Sequence, residues 1–205
     1  MCEDIFIVRE DRIRSYVMFT FANHCMPTLL KIKPSSLFTF HKRYIQNEND
    51  FYDILETEVS KFACKSEVLL ISEDMYYVFV YYEPLLKETL DKNRNNKILI
   101  SNGYLNRYDA FEYNINHLKN RFNGYMSKAM SEFPHEVGII LGYPVLDVEE
   151  YIKNNGENYV LCGYWKVYHN AIEAIDTFKR FKELKDIAIN LFYSGRDLHE
   201  LEVNA

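Results

Sequence analysis

The sequence lacks the features that mark membrane-spanning, secreted and disulfide-stapled proteins. No apolar run approaches the roughly 18 residues that a membrane-crossing helix needs. The N-terminus, MCEDIFIVREDR, carries acidic residues early and has no apolar signal core, so we expect a cytoplasmic protein. The cysteines Cys2, Cys25, Cys64 and Cys162 are widely scattered without CxxC spacing, which predicts free thiols and gives no zinc-ribbon signature.

An excess of positive charge is also missing. The formal net charge is −6, which argues against nonspecific nucleic-acid binding. The GxGxxG, phosphate-loop and HExxH patterns are absent, so no motif points to a nucleotide or to a zinc peptidase. The sequence therefore predicts neither a nucleic-acid nor a membrane partner. It identifies no cofactor and leaves the oligomeric state open.

What the chain does contain is enough apolar material for a sizeable core. Its 205 residues are 48% hydrophobic, which suits one globular domain over residues 1–205. The aromatic share is high, with 17 Tyr and 14 Phe, and rings of this kind mostly fill cores and half-buried sheet faces. We find no internal repeat and no low-complexity tract.

Apolar residues recur at helical spacing in several segments. The predicted helices cover about 10–33, 50–63, 84–90, 109–126 and 171–193. Pro27 should break the first of them around 24–28, because proline cannot continue a helix interior. The last helix has a continuous apolar stripe, and Gly195 is placed to end it.

Strand patterns predict a sheet. We predict that Val68–Ile71 and Met75–Tyr82 form a hairpin and that Ile98–Ile100 is a brief strand. Glu136–Leu141 is a buried strand, followed by a short helix with Asp147 as N-cap and by a second strand, Tyr159–Tyr168. This order is that of a compact βαβ unit. We therefore predict an α/β fold with a mixed β-sheet flanked by helices and a long C-terminal helix, with α+β as the alternative.

Several short stretches together carry a family resemblance. They are HCMPTL at 24–29, FPHE at 133–136, LGYP at 141–144, Asp147-Val148, and GYWKVY at 163–168. They span most of the chain, which resembles a bacterial family known as domain of unknown function 3793. The resemblance implies a bacterial protein and no particular activity.

One chemical hypothesis starts from Cys25, which lies near a predicted helix start. A thiolate there could attack an acyl or sulfur centre, with His135 as base and Glu136 or Asp147 orienting it. The plain alternative is that Cys25 is a small buried residue and that His135 hydrogen-bonds a turn. Metal or haem ligation by His24, Cys25 and His135 is a further possibility. However, adjacent residues on a helix point about 100° apart, so His24 and Cys25 could not readily bind one ion unless Pro27 distorts the turn.

A second hypothesis is a binding site without chemistry. Tyr143, Tyr164, Trp165 and Tyr168 could line a pocket, and Lys166 offers a charge to an anionic group. Gly138 and Gly163 lie where a gap would admit a flat ligand. In a regular strand, alternation would put Tyr164 and Lys166 on one face and Trp165 on the other.

These observations favour a small-ligand or protein-partner binding protein. Its site would lie near the FPHE turn and the helix of the HCMPTL stretch, and would include His24 with the residues named above. A thiol-dependent enzyme with Cys25 as nucleophile is the alternative, and metal or haem binding is the second alternative. We expect Cys25 and His135 to share a hollow if either chemistry holds.

Overall fold

The computed structural model describes residues 12–107 and 109–203, and these form two compact units. The first unit lies within Met1–Tyr82 and Phe181–Ala205, and the second is Glu83–Arg180. In the chain, the second unit is thus inserted between the two parts of the first. The prediction of one globular domain stays a prediction, because compactness does not measure whether the units unfold together.

The described residues form ten α-helices and five strands. In chain order these are α1 (Arg12–His24), α2 (Met26–Leu29), β1 (Ser35–His41), α3 (Glu48–Ser60), β2 (Lys65–Ile71), β3 (Met75–Tyr81), α4 (Glu83–Lys92), α5 (Lys97–Ser101), α6 (Phe111–Met126), α7 (Val137–Ile140), α8 (Val145–Lys153), β4 (Leu161–Cys162), β5 (Lys166–Val167), α9 (Ala171–Tyr193) and α10 (Glu200–Val203).

The first unit is built on a three-stranded antiparallel sheet in the order β1-β3-β2. The central strand β3, MYYVFVY, consists of aromatic and β-branched residues that suit a buried pleated surface. The predicted hairpin of β2 and β3 is confirmed. Helices α1 and α3 pack together, and an apolar core joins them to the sheet. Among its fully buried side chains are Phe21, Leu29, Phe40, Phe51 and Val78.

The predicted break in the first helix is confirmed. Helix α1 ends at His24, and α2 begins at Met26 with Pro27 in its first turn. Proline is tolerated there because the first N–H groups of a helix have no intrahelical partner. Cys25 is the residue between the two helices.

The second unit is mostly helical. Helix α4, which corresponds to the predicted helix 84–90, contains Pro84 in its first turn and packs against α7. Helix α8 packs against both α7 and β5. The long helix α9 starts in this unit and ends in the first one. Its predicted extent is confirmed, and Gly195 follows its end with a φ of 73° that favours glycine.

Two of the predicted strands are helices. Helix α7 occupies most of the segment predicted as the strand Glu136–Leu141, and Ile98–Ile100 lies within α5. All four residues of α7 are buried. A short helix buried on every side produces the same unbroken apolar run as a buried strand, so periodicity cannot separate the two.

The predicted strand Tyr159–Tyr168 is a small hairpin, in which β4 and β5 pair antiparallel. Both sheets of the described residues are antiparallel, so the parallel βαβ unit is not formed and the sheet is not mixed. The strand β1 was not predicted. The α/β fold class, with helices around a sheet and a long C-terminal helix, is confirmed. Among the described residues, none of the helices is both long enough and apolar enough to cross a membrane.

Candidate functional site

A cleft in the second unit brings together four of the side chains predicted to contact a ligand. They are His135, Tyr143, Trp165 and Lys166. The volume of the cleft is about 290 Å³. The walls come from the loop before α7, from α7 and α8, and from the β4–β5 hairpin. We call it the aromatic cleft, after the side chains that include Phe133, His135, Tyr143, Tyr151, Trp165 and Lys166.

The walls of the aromatic cleft are rings that contact one another. The rings of Tyr143 and Trp165 stack with their centroids 5.4 Å apart at an interplanar angle of 27°. On the other side, the His135 ring lies 5.3 Å from Phe133 and 5.4 Å from Tyr151. Burial raises the pKa of Tyr143, so its hydroxyl stays neutral. The cleft therefore offers flat, largely uncharged surfaces.

Asp147 holds the hairpin against α8. It is 3% exposed, and its carboxylate accepts hydrogen bonds from Trp165 Nε1 at 2.8 Å, from the Tyr168 backbone N–H at 2.8 Å and from the His169 backbone N–H at 2.9 Å. The prediction that Asp147 is the N-cap is wrong, because α8 begins at Val145 and Asp147 lies in its first turn. A carboxylate is favourable in a first turn, near the positive end of the helix dipole.

Lys166 places a positive charge in the wall. Its Nζ donates a hydrogen bond to the Gly156 carbonyl at 2.6 Å and lies 4.8 Å from the centre of the Tyr159 ring. Gly156 has a φ of 76° and belongs to the turn that ends α8. An ammonium has three N–H donors, so the carbonyl does not exhaust the hydrogen-bonding capacity of Lys166.

Neither predicted glycine leaves a gap. A Cβ on Gly138 would come within 2.8 Å of Val148 Cγ2, and a Cβ on Gly163 would overlap the ring of Phe178. Both glycines permit close packing by a neighbouring side chain instead. The space for a ligand lies between the aromatic walls.

Tyr164 does not line the aromatic cleft. It is 42% exposed, and its ring contacts that of Phe178 with centroids 5.5 Å apart. The predicted alternation fails because Gly163, Tyr164 and Trp165 form the turn between β4 and β5. As a result, Trp165 and Lys166 line the same cleft although they are adjacent in the chain.

Glu136 is fully buried in an ion pair. Its carboxylate accepts hydrogen bonds from Arg121 Nε and from Arg121 Nη2, the latter at 3.2 Å, and from the Tyr104 hydroxyl at 3.5 Å. Burial and then the charge of Glu136 raise the pKa of Tyr104, which keeps that hydroxyl a donor. The geometry gives Glu136 a structural partner in place of the predicted contact with His135.

Cys25 and His24 belong to the first unit, whereas His135 belongs to the second. Cys25 is 0% exposed, and burial, followed by the effect of Cys64, raises the pKa of its thiol well above the ordinary value. His24 is exposed, and burial of part of its ring and then the charge of Lys185 lower its pKa. The catalytic role of Cys25 stays a prediction, and both its burial and its raised pKa oppose it.

Besides Val137 and Val148, three residues that line the aromatic cleft were not predicted from the sequence. Phe133 belongs to the FPHE stretch, and Tyr151 follows from the helical spacing of α8 behind Asp147. The third is Cys162, an exposed free thiol in β4. Its position directly before the GYWKVY stretch is the sequence signal that points to it.

No group of three or more His, Cys, Asp or Glu side chains within residues 12–107 and 109–203 is arranged to hold a metal ion. His24, Cys25 and His135 therefore gain no support as metal ligands from these residues.

Comparison with protein-family models gives a match to this chain. A family model described as "Protein of unknown function (DUF3793)" matches residues 21–202. No curated protein and no solved structure matches the chain.

Proposed function

The chain belongs to the DUF3793 family of proteins of unknown function, and from that premise we propose that it binds a small planar aromatic anion in the aromatic cleft. The observation that carries this proposal is a set of stacked and tilted rings around about 290 Å³ of space, with the ammonium of Lys166 in the wall. The sequence features given above support a bacterial, cytoplasmic setting.

The size of the aromatic cleft favours a small molecule over a protein partner. Ligand pockets in proteins measure about 300–1,000 Å³ and are lined mainly by apolar and aromatic side chains with a few polar groups. The cleft, at about 290 Å³, is at the small end of that range. Offset stacking against Tyr143 or Trp165 would favour a flat ring in the ligand.

The charge distribution favours an anion. Aromatic faces alone attract cations, but Lys166 already occupies the faces of Tyr151 and Tyr159. The carboxylate of Asp147 accepts hydrogen bonds from three N–H groups, which stabilise its negative charge and leave it less available to a cationic ligand. A ligand carboxylate can instead take an N–H of Lys166 in a charge-assisted hydrogen bond.

Isothermal titration calorimetry with naphthoate tests the proposal, with naphthamide as the uncharged ligand of the same shape. We expect naphthoate to bind and naphthamide to bind more weakly. The Lys166→Met variant should weaken naphthoate binding by about 10- to 100-fold, since a hydrogen bond to a charged group contributes about 1.5–3 kcal/mol.

The matched control is Lys153→Met, which removes an exposed lysine from α8 that pairs with Glu150. It should leave naphthoate affinity unchanged. Absence of binding by either ligand, or equal naphthoate affinity in the Lys166→Met protein, would overturn the proposal.

A further inference from the structure

The aromatic cleft contains a nucleophile as well as a cation. Cys162 and Lys166 are register partners in the β4–β5 ladder, and both line the cleft with His135. Side chains directly opposite in an antiparallel pair have Cβ atoms about 4.5–5.5 Å apart. The thiol, the ammonium and the imidazole are therefore grouped around one ligand-sized space.

Cys162 differs from the other described cysteines in its access to solvent. It is exposed, whereas Cys25 and Cys64 are 0% and 4% exposed and belong to the core of the first unit. A reactive cysteine must be accessible to its substrate, and structural buried cysteines are inert. Of the described thiols, Cys162 is the one that a ligand in the cleft can reach.

We propose that Cys162 accepts the acyl group of an aromatic carboxylic thioester bound in the aromatic cleft. This proposal rests on the proposed function, because the aryl group of the thioester would occupy the space assigned above to the planar anion. A nucleophile, a base and a cation near the acyl oxygen are the groups that acyl transfer to a thiol requires.

The step balances without an oxidant or a reductant. The Cys162 thiol gives its proton to the His135 imidazole, and the sulfur attacks the carbonyl carbon of the thioester. The oxygen of the tetrahedral intermediate is negative, and the ammonium of Lys166 stabilises it. The intermediate then collapses, the bond to the original sulfur breaks, and the leaving thiolate takes the proton from His135. The products are an acyl-Cys162 thioester and a free thiol.

The exchange of one thioester for another also suits the site thermodynamically. One carbon–sulfur bond forms while another breaks, so the reaction needs no co-substrate to drive it. A free carboxylate lacks a leaving group, and it would bind in the cleft without reacting. The naphthoate used above is thus a non-reactive analogue of the acyl donor.

The test is to incubate the protein with the naphthoyl thioester of N-acetylcysteamine and to follow acylation by intact mass, with the site found by peptide mapping. The acetyl thioester of the same thiol is the matched control donor. We expect acylation at Cys162, at least about 10-fold faster with the naphthoyl donor because the cleft orients its ring. Cys25 and Cys64 should remain unmodified, and Cys162→Ser should lose the adduct.

Variants of the other two groups should slow the reaction. Lys166→Met should lower the acylation rate by about 10²-fold or more, as loss of an oxyanion-stabilising group does. His135→Gln should lower it by about 10²-fold, as expected for loss of a general base. Lys153→Met should not change it. If thermal unfolding shows Lys166→Met to be misfolded, Lys166→Arg keeps the charge and should retain most of the rate.

Two results would overturn the inference: equal acylation of Cys162 by both donors, and faster acylation of Cys25 or Cys64. A protein that binds naphthoate in the calorimeter but is not acylated at Cys162 also refutes it, and in that case the proposed function stands. A protein that neither binds naphthoate nor reacts at Cys162 refutes both.

Discussion

Glu136 stands next to His135 in the chain, yet its carboxylate is fully buried and bound to Arg121 and Tyr104. Removing one partner of such a pair leaves a buried charge uncompensated, which typically lowers the free energy of unfolding by about 3–5 kcal/mol. We expect Glu136→Ala to lose about this amount in urea denaturation. The Arg121 side chain is only 12% exposed, so water can solvate little of the guanidinium charge that Glu136→Ala leaves unpaired.

The control for this prediction is the double variant Glu136→Met with Arg121→Met. Apolar groups of similar size leave no charge behind, so replacing both partners should destabilise the protein less than Glu136→Ala does. A Glu136→Ala protein as stable as the wild type would show that the ion pair contributes little.

Lys33 makes a pH dependence testable in the first unit. Burial lowers its pKa to about 8, against the opposing influence of Cys25, whereas an unfolded lysine has a pKa of about 10.4. Between these two pKa values the unfolded chain binds more protons at Lys33 than the folded protein does. The free energy of unfolding therefore rises by up to about 1.4 kcal/mol for each unit by which the pH is raised. The contribution of Lys33 is complete above about pH 10.4 and is lost as the pH falls through about 8.

The measurement is the difference in free energy of unfolding between the wild type and Lys33→Met. It should shift in favour of the wild type as the pH rises from about 7.5 to about 10. The exposed Lys92→Met variant corrects for the loss of one surface charge. A difference that stays constant with pH would contradict the prediction. Cys25 has the opposite pH dependence. Because the pKa of its thiol is raised on folding, its contribution to the free energy of unfolding is complete below about pH 8.5 and is lost at higher pH.

At the level of elements, long segments with one apolar face were predictable, and short buried ones were not. The helix spacing of 171–193 and the hairpin turn at 72–74 are local signals, and both are found in the structure. The run Val137–Leu141 is apolar because α7 is buried on all sides, and this depends on neighbours far away in sequence. The strand β1 (SSLFTFH) gains its identity from pairing with β3, which no local pattern shows.

The aromatic cleft, too, was predictable from the sequence only in part. The stretches FPHE, LGYP and GYWKVY identified four of its residues, because unusual aromatic and polar residues cluster there in the sequence. The contacts of Asp147 with the hairpin, and the inclusion of Cys162, depend on how the hairpin turns over α8. Such a turn is a tertiary feature. The sequence alone therefore did not show that Cys25 is not one of the residues that line the cleft.

The hairpin itself gives an element-scale prediction at Gly163. The ring of Phe178 in α9 occupies the space that a Cβ on Gly163 would need, and the same ring lies 4.6 Å from that of Trp165. Gly163→Ala should therefore lower the free energy of unfolding by about 1–3 kcal/mol, the usual effect of overpacking. Urea denaturation followed by tryptophan fluorescence measures it, since Trp165 is the only tryptophan.

A double-variant cycle decides whether Phe178 is the cause. Phe178→Leu removes ring atoms at that place, so Gly163→Ala should be less destabilising in the Phe178→Leu background than in the wild type. Additive losses would assign the effect of Gly163→Ala to the backbone of the turn rather than to the ring.

At the scale of the whole molecule, the prediction of a single globular domain has a direct test. Trp165 lies in the second unit, so its fluorescence reports on that unit, while helices of both units contribute to far-ultraviolet circular dichroism. A single cooperative domain requires the two signals to change together during unfolding. We expect coincident transitions in urea.

Phe40→Ala sharpens this test, because Phe40 is fully buried in the core of the first unit. The substitution should lower the free energy of unfolding by about 3–5 kcal/mol. In a single cooperative domain, the fluorescence transition of Trp165 must move to lower urea by the full amount, although Trp165 lies in the other unit. Phe122→Ala, in the core of the second unit, is the matched variant and should shift both signals equally. If Phe40→Ala moves the circular dichroism transition and leaves the Trp165 transition in place, the two units unfold separately and the chain has two domains.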